Sequence, residues 1–226
     1  MKIKMLFTAF LLIMAKNATA QDWANLNRFK NENTELAAKG PVKNRIVFMG
    51  NSITEGWLKA DPDFFKSNAY VNRGIGGQTT PQMLLRFRSD VISLKPTTVI
   101  ILAGTNDIAG NTGPSTLEMV MDNIASMSEL AQANGIKVIL CTVLPAFDYP
   151  WKPGLEPAQK IVNLNQMIKS YAKQHHLTVI DYHSAMKDDR NGLKKEFSED
   201  GVHPNKAGYD IMKPLAQEGI AATLKH

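Results

Sequence analysis

Arg45-Ile46-Val47-Phe48-Met49-Gly50-Asn51-Ser52-Ile53-Thr54-Glu55 is the stretch on which the fold turns. Its four consecutive apolar residues, Ile46 to Met49, suit a strand buried on both faces, and such strands belong to parallel sheets covered by helices on either side. Gly50 permits a tight exit into a helix. Ser52 then stands at that helix's N-terminus, where free N–H groups and the helix dipole favour negative charge. Working outward, apolar runs of similar length recur at residues 69–72, 98–103, 137–143 and 178–181, with 45–49 as the first. Helical patterns fall between and after them at 81–94, 114–134, 157–175 and 205–224. This alternation predicts an α/β fold: a three-layer α/β/α sandwich on a doubly wound parallel sheet of about five strands.

Two helices carry boundary signals. Pro114 suits a first turn and Gly135 a C-terminal stop, with Leu117, Val120, Met121, Ile124, Met127 and Leu130 forming one core-facing stripe between them. Ahead of the first strand, residues 21–38 place Trp23, Leu26, Phe29 and Leu36 at roughly helical spacing. They read as a helical extension that packs on the domain edge and ends at Gly40-Pro41.

The first twenty residues have a different character. Lys2 and Lys4 precede an apolar run, followed by Ala18-Thr19-Ala20, the pattern of a secretory signal peptide cut after residue 20. The apolar run is shorter than the ~20 residues that span a bilayer, so no stable membrane anchor is expected. Export to the periplasm or the extracellular space follows. Lys2, Lys4 and Lys16 lie in this segment, which has no acidic residue. The remaining chain therefore carries 23 Lys+Arg against 21 Asp+Glu, a net of +2, which gives no reason to expect nucleic acid as a partner. The remaining length of about 200 residues suits a single domain, 21–226. The lone cysteine, Cys141, lies in an apolar strand and reads as a core residue, not a nucleophile.

Four separated blocks carry chemistry: Gly50-Asn51-Ser52, Asn72-Arg73-Gly74-Ile75-Gly76-Gly77, Gly104-Thr105-Asn106-Asp107 and Asp200-Gly201-Val202-His203-Pro204. The first three follow the first three strands and the fourth follows the last, which puts all four on the carboxyl rim where open α/β sheets bind ligands. Ser52 offers a nucleophile, although Ser52 and Glu55 also match a capping box. His203 is held in a loop by Pro204, with Asp200 close enough to orient its ring; the alternative is an Asp-Gly turn with an incidental histidine. The Gly74–Gly77 loop lacks the third glycine of a dinucleotide fingerprint, Thr79 standing in its place. It suits a backbone N–H presented to an oxyanion, and Asn106 adds either an amide donor or an ordinary turn asparagine. No metal-ligand spacing and no cofactor motif is present. In the aromatic loop Pro145 to Trp151, Tyr149 and Trp151 are candidates for stacking on a sugar face, or for anchoring the loop. His183, just after the last strand, is a further candidate for contact with the rim.

Together the blocks resemble the SGNH hydrolases, the GDSL-type esterases and lipases, from about Arg45 to the C-terminus. Their wording is similar to platelet-activating-factor acetylhydrolase-like and bacterial carbohydrate esterase members. The resemblance implies a flavodoxin-like sandwich without a metal, with Ser52 as nucleophile and Asp200 and His203 completing a triad. It implies an oxyanion hole from the N–H groups of Ser52 and Gly77 and the Asn106 amide. Gly76 and Asn51 adjoin the site and are candidate substrate contacts. Asn51 departs from the family's usual aspartate, which removes a negative charge beside the serine and predicts a shifted pH profile. The expected activity is hydrolysis of small acyl esters, acetyl in particular, on a polar carrier such as a glycan. Lysophospholipase or thioesterase activity on longer chains, or silent glycan binding, are the alternatives.

Overall fold

In the computed structural model, residues 22–225 are described; the segment read as a signal peptide lies outside them. Helix α1 (Lys30–Ala38) precedes β1 (Ile46–Gly50), α2 (Ser52–Ala60), α3 (Pro62–Lys66), β2 (Tyr70–Gly74) and α4 (Thr80–Asp90). Then come β3 (Thr98–Leu102), α5 (Thr105–Ile108), α6 (Leu117–Ala133), β4 (Lys137–Cys141), α7 (Pro157–Gln174), β5 (Thr178–Ile180), α8 (Tyr182–Met186) and α9 (Lys206–Lys225). All five strands are parallel in the order β2-β1-β3-β4-β5, the flavodoxin-like arrangement. The chain winds one way to β2 and the other way from β3, so the crevice between β1 and β3 is the switch point. Gly50 lies opposite Gly74 on one side and Leu102 on the other, so the three loops that follow leave the rim at one level.

The pleat divides the strand residues between two cores. Val47, Met49, Val99, Ile101, Val138 and Leu140 pack with Met83, Phe87, Ile124, Met127 and Leu164 of α4, α6 and α7. Ile46, Phe48, Ile100, Leu102, Ile139 and Cys141 face the other way, toward Ile53, Trp57, Phe64, Tyr209 and Met212 of α2, α3 and α9. Within this second core Trp57 stacks on Phe64 with centroids 4.9 Å apart and on Tyr209 at 5.6 Å, and Phe48 meets Trp57 edge-on at 5.8 Å. Aromatic pairs of this kind add about 0.5–1.5 kcal/mol beyond their buried area, and they fix α2 rigidly on the sheet.

The extension at 21–38 differs from the helix its spacing predicts. Only Lys30–Ala38 is helical, while Trp23 and Leu26 are 44% and 47% exposed. The Asp22 carboxylate accepts the N–H groups of Leu26 and Asn27, and Asn25 is left-handed at φ 56°, so residues 22–29 close into turns instead. Pro114 does not open its helix either. The Thr116 hydroxyl accepts the Met119 N–H and caps α6, which starts at Leu117. The stop at Gly135 stands: φ is +70°, and the N–H groups of Gly135 and Ile136 return to Gln132 and Ala131. The helix predicted over 81–94 breaks at Val91 into α4 and a 3₁₀ turn.

Candidate active site

Ser52 is the first residue of α2, and Asn51 is its cap. Asn51 Oδ1 accepts the Ile53 N–H at 3.1 Å and the residue is buried, so Asn51 shapes the turn. The capping-box alternative for Ser52 fails on the same geometry, because the Glu55 carboxylate accepts the Gly76 N–H (3.0 Å) instead of returning to the cap. Freed from capping, Ser52 Oγ lies 2.9 Å from His203 Nε2, across 151 residues of chain.

His203 Nδ1 lies 2.6 Å from Asp200 Oδ2. Asp200 Oδ1 accepts the Val202 and His203 backbone N–H groups at 2.9 and 2.8 Å and the Ser198 hydroxyl at 3.1 Å. Gly201, at φ +78°, makes this tight turn possible. Burial opposes the charge on Asp200, but the His203 ring and the backbone N–H groups outweigh it and hold the carboxyl down to about 2. An ionised carboxylate only accepts hydrogen bonds, which places the proton on Nδ1 and leaves the Nε2 lone pair facing the Ser52 hydroxyl.

The loop after β2 closes the other side. A Cβ on Gly76 would lie 3.8 Å from the Ser52 Cβ, so this loop stands directly beside the serine. Gly77 takes φ +76°, its carbonyl accepts from the Asn111 amide at 3.1 Å, and its N–H makes no hydrogen bond among the described residues. Asn106, buried in α5, donates one amide hydrogen to the Gln78 carbonyl at 2.9 Å and keeps the second. Gly104 makes this close seat possible at φ +124°, where an added Cβ would stand 2.7 Å from Leu164. The neighbouring Asp107 accepts the Thr80 N–H and hydroxyl at 2.9 and 2.6 Å, which pins the start of α4 to the loop after β3. Burial raises the Asp107 carboxyl, with these bonds opposing it.

The aromatic candidates separate. Trp151 is 45% exposed with its ring 5.8 Å from that of His203, at the mouth of the site. Tyr149 is 0% exposed and its hydroxyl is bonded to Thr105 Oγ1 and the Thr105 carbonyl, so it presents no face to a ligand. It supports Trp151 from below, the two rings stacked 5.1 Å apart. His183 is also buried, with its backbone N–H on Thr142 Oγ1, and borders a separate space with Asn165 and Lys169. Cys141 is buried, and burial pushes its thiol up, as its apolar setting predicts. A groove of about 260 Å³ opens beside Asp200, lined by Phe147, Arg190, Lys195 and Glu199, with the Arg190 guanidinium 4.5 Å from the Phe147 ring centre. Among the described residues no group of three His, Cys, Asp or Glu side chains could hold a metal ion.

Reading the chain alone misses Glu55, Gln78, Arg86 and Asn111, all of which brace the glycine loop. A signal for Arg86 does exist. With Asp90 it lies on the Met83–Phe87 face of α4, an i,i+4 charge pair placed where a core is expected.

The arrangement combines a serine hydroxyl aimed at an imidazole, a carboxylate behind that imidazole, and free amide donors opposite. Such a set can form and stabilise a tetrahedral acyl intermediate. A family model described as GDSL-like lipase/acylhydrolase matches residues 48–211. A GDSL-like lipase structure from Bacteroides thetaiotaomicron is 50% identical with a TM-score of 0.86, covering 89% of this chain and 99% of that one. A Bacteroides fragilis structure, named only provisionally as an acylhydrolase, is 51% identical with a TM-score of 0.88, covering 91% and 100%. An acetylxylan esterase of Xylanibacter ruminicola is 27% identical over 217 residues, which is 80% of this chain. The chain spans only 43% of that relative's length.

Proposed function

The chain belongs to the GDSL-like lipase/acylhydrolase family, and from that premise we propose that it is an exported serine ester hydrolase removing small acyl groups, acetyl above all, from a polar carrier such as a carbohydrate. The observation that carries the chemistry is the unbroken relay Ser52 Oγ–His203 Nε2 at 2.9 Å and His203 Nδ1–Asp200 Oδ2 at 2.6 Å.

In this mechanism Ser52 Oγ attacks the ester carbonyl carbon and its proton passes to His203 Nε2. Asp200 holds the ring and stabilises the imidazolium. The oxyanion rests on the N–H groups of Ser52 and Gly77 and on the second amide hydrogen of Asn106. A donor of this kind is worth about 10²–10³ in rate. Collapse expels the alcohol, which takes the proton from His203. Water, deprotonated by the same ring, then attacks the acyl-serine carbonyl, and release of the acid restores Ser52.

The polar-carrier reading draws on the half-exposed Trp151 face beside His203 and on the groove lined by Phe147, Arg190, Lys195 and Glu199. Together they offer an aromatic platform with hydrogen-bonding groups around it. Export draws on the basic and then apolar composition of residues 2–20. A second reading, hydrolysis of longer acyl chains, draws on a different groove. Phe29, Leu36, Leu58, Phe65 and Val71 line a space of about 320 Å³ that reaches the glycine loop at Gly74.

Hydrolysis of p-nitrophenyl acetate and octanoate by wild type and Ser52→Ala tests both. Turnover of acetate that disappears in the variant is the expected result. Preference for octanoate moves the reading to lipid or thioester substrates. A folded wild type that turns over neither ester favours a silent glycan-binding protein on this scaffold or a substrate pocket too narrow for either probe.

A further inference from the structure

We propose that Gln78 and Arg86 are positioning residues for the oxyanion hole, and that the N-terminal strap, residues 22–38, is the anchor against which they hold it. The proposal rests on the hydrolase reading above and adds to it a group of residues outside the reacting set.

Gln78 follows Gly77 directly and is buried. Its side-chain Nε2 donates to the Ala24 carbonyl of the strap at 2.8 Å, and its Oε1 accepts Arg86 Nε at 2.5 Å. Its own main-chain carbonyl is the acceptor that orients the Asn106 amide, at 2.9 Å. One residue thus connects the strap, the glycine loop and the loop after β3.

Arg86 supplies the second junction. It is fully buried, and its Nη2 donates to the Gly50 carbonyl at 3.0 Å and the Arg73 carbonyl at 2.9 Å. Gly50 lies two residues before Ser52, and Arg73 leads into the glycine loop. Arg86 Nη1 is neutralised by Asp90 at 2.8 Å. Asp90 in turn accepts Asn33 Nδ2 of the strap at 2.7 Å, and Asn33 Oδ1 accepts Nε and Nη2 of Arg73 at 3.0 and 2.8 Å. Gln82 adds a last tie, donating to the Trp23 carbonyl at 2.7 Å.

The main-chain segments that carry Ser52 and Gly77 therefore converge on the Arg86 guanidinium and Gln78, and the Asn106 side chain joins them through the Gln78 carbonyl. A planar fork with five donors in fixed directions can serve three acceptors and a carboxylate at once; a lysine ammonium cannot. The function of such a network follows from tolerance. An oxyanion donor acts only within a few tenths of an ångström of its best distance, and a misplacement of 1 Å costs about 100-fold in rate. Loosening the loop therefore weakens transition-state stabilisation more than substrate binding.

The test is a double-mutant cycle of Gln78→Ala and Asn106→Ala with p-nitrophenyl acetate as the probe. Gln78→Ala is expected to lower kcat about 10- to 100-fold with KM within about twofold of wild type. In the Asn106→Ala background the same change is expected to cost less than in wild type, because the share of its effect carried from the Gln78 carbonyl to that amide is already lost while the share carried through Gly77 remains. Gln78→Glu, which keeps the acceptor for Arg86 but sets a carboxylate oxygen against the Ala24 carbonyl, provides a second variant should the alanine fail to fold. Its expected loss lies between wild type and alanine. Amide hydrogen exchange gives a readout independent of turnover: residues 74–79 and 23–28 should exchange faster together in either variant. Unchanged kcat in a folded Gln78 variant, equal losses in both backgrounds, or unchanged exchange of the two segments each overturn the proposal. Absence of wild-type turnover bears on the hydrolase reading instead, and the exchange result then decides the coupling of strap to loop.

Discussion

Asp200 shows how a single carboxylate is kept ready in a loop that is far from fully buried. Its side chain accepts four bonds, from the His203 ring, two backbone N–H groups and the Ser198 hydroxyl. Its value of about 2 lies below the ordinary 3.8, so the ionised form stabilises the fold at pH above about 4, and that contribution disappears as pH falls through 2. Asp200→Asn removes this titration. Urea unfolding midpoints should therefore fall less between pH 5 and pH 2 in Asp200→Asn than in wild type, and an equal fall in both would separate Asp200 from acid stability. Asn51 makes a different point. An amide oxygen caps a helix as a carboxylate does, so the departure from the family's aspartate leaves the turn intact while it removes a charge.

At the scale of elements, glycine at the ends of strands lets the rim loops approach one another. An added Cβ on Gly74 would stand 2.2 Å from the Glu55 nitrogen and 2.8 Å from the Asn51 carbonyl oxygen. Gly74→Ala is expected to destabilise by about 1–3 kcal/mol or more, a drop of about 3–10 °C in Tm by calorimetry, and to reduce activity further by shifting α2. The five strands were legible in sequence to within two residues, most plainly β1, β3 and β4, where burial on both faces keeps the apolar run almost unbroken. The long helices α6, α7 and α9 were legible through their period. Helix α5 was not, since four residues are too few to show a period. Trp23 and Leu26 imitated a helical stripe, while the local bonding of Asp22 and the left-handed Asn25 decided the outcome. The Ser52–His203–Asp200 constellation was legible because Asp200 and His203 adjoin Gly201 and Pro204 in a loop, and Ser52 follows Gly50-Asn51 at the end of an apolar strand. The Gln78–Arg86–Asp90–Asn33 brace was hidden, because its partners lie up to 57 residues apart and no local pattern joins them.

At the scale of the whole molecule, the order β2-β1-β3-β4-β5 puts the reversal of winding between the strand that delivers Ser52 and the strand that delivers Asn106. His203 arrives from the other end of the chain, in the loop between β5 and α9. The 151 residues separating Ser52 from His203 give the site a kinetic character. The entropy cost of closing a loop grows only slowly with its length, but contacts so distant in sequence slow folding, as is usual for parallel sheets. The relay joins the two ends of the domain, so a chain in which they have not met lacks it. In refolding from urea, recovered turnover should therefore track the last fluorescence phase, and each newly made copy is expected to stay silent until the two ends of its domain have met; turnover ahead of that phase would show the relay closing early.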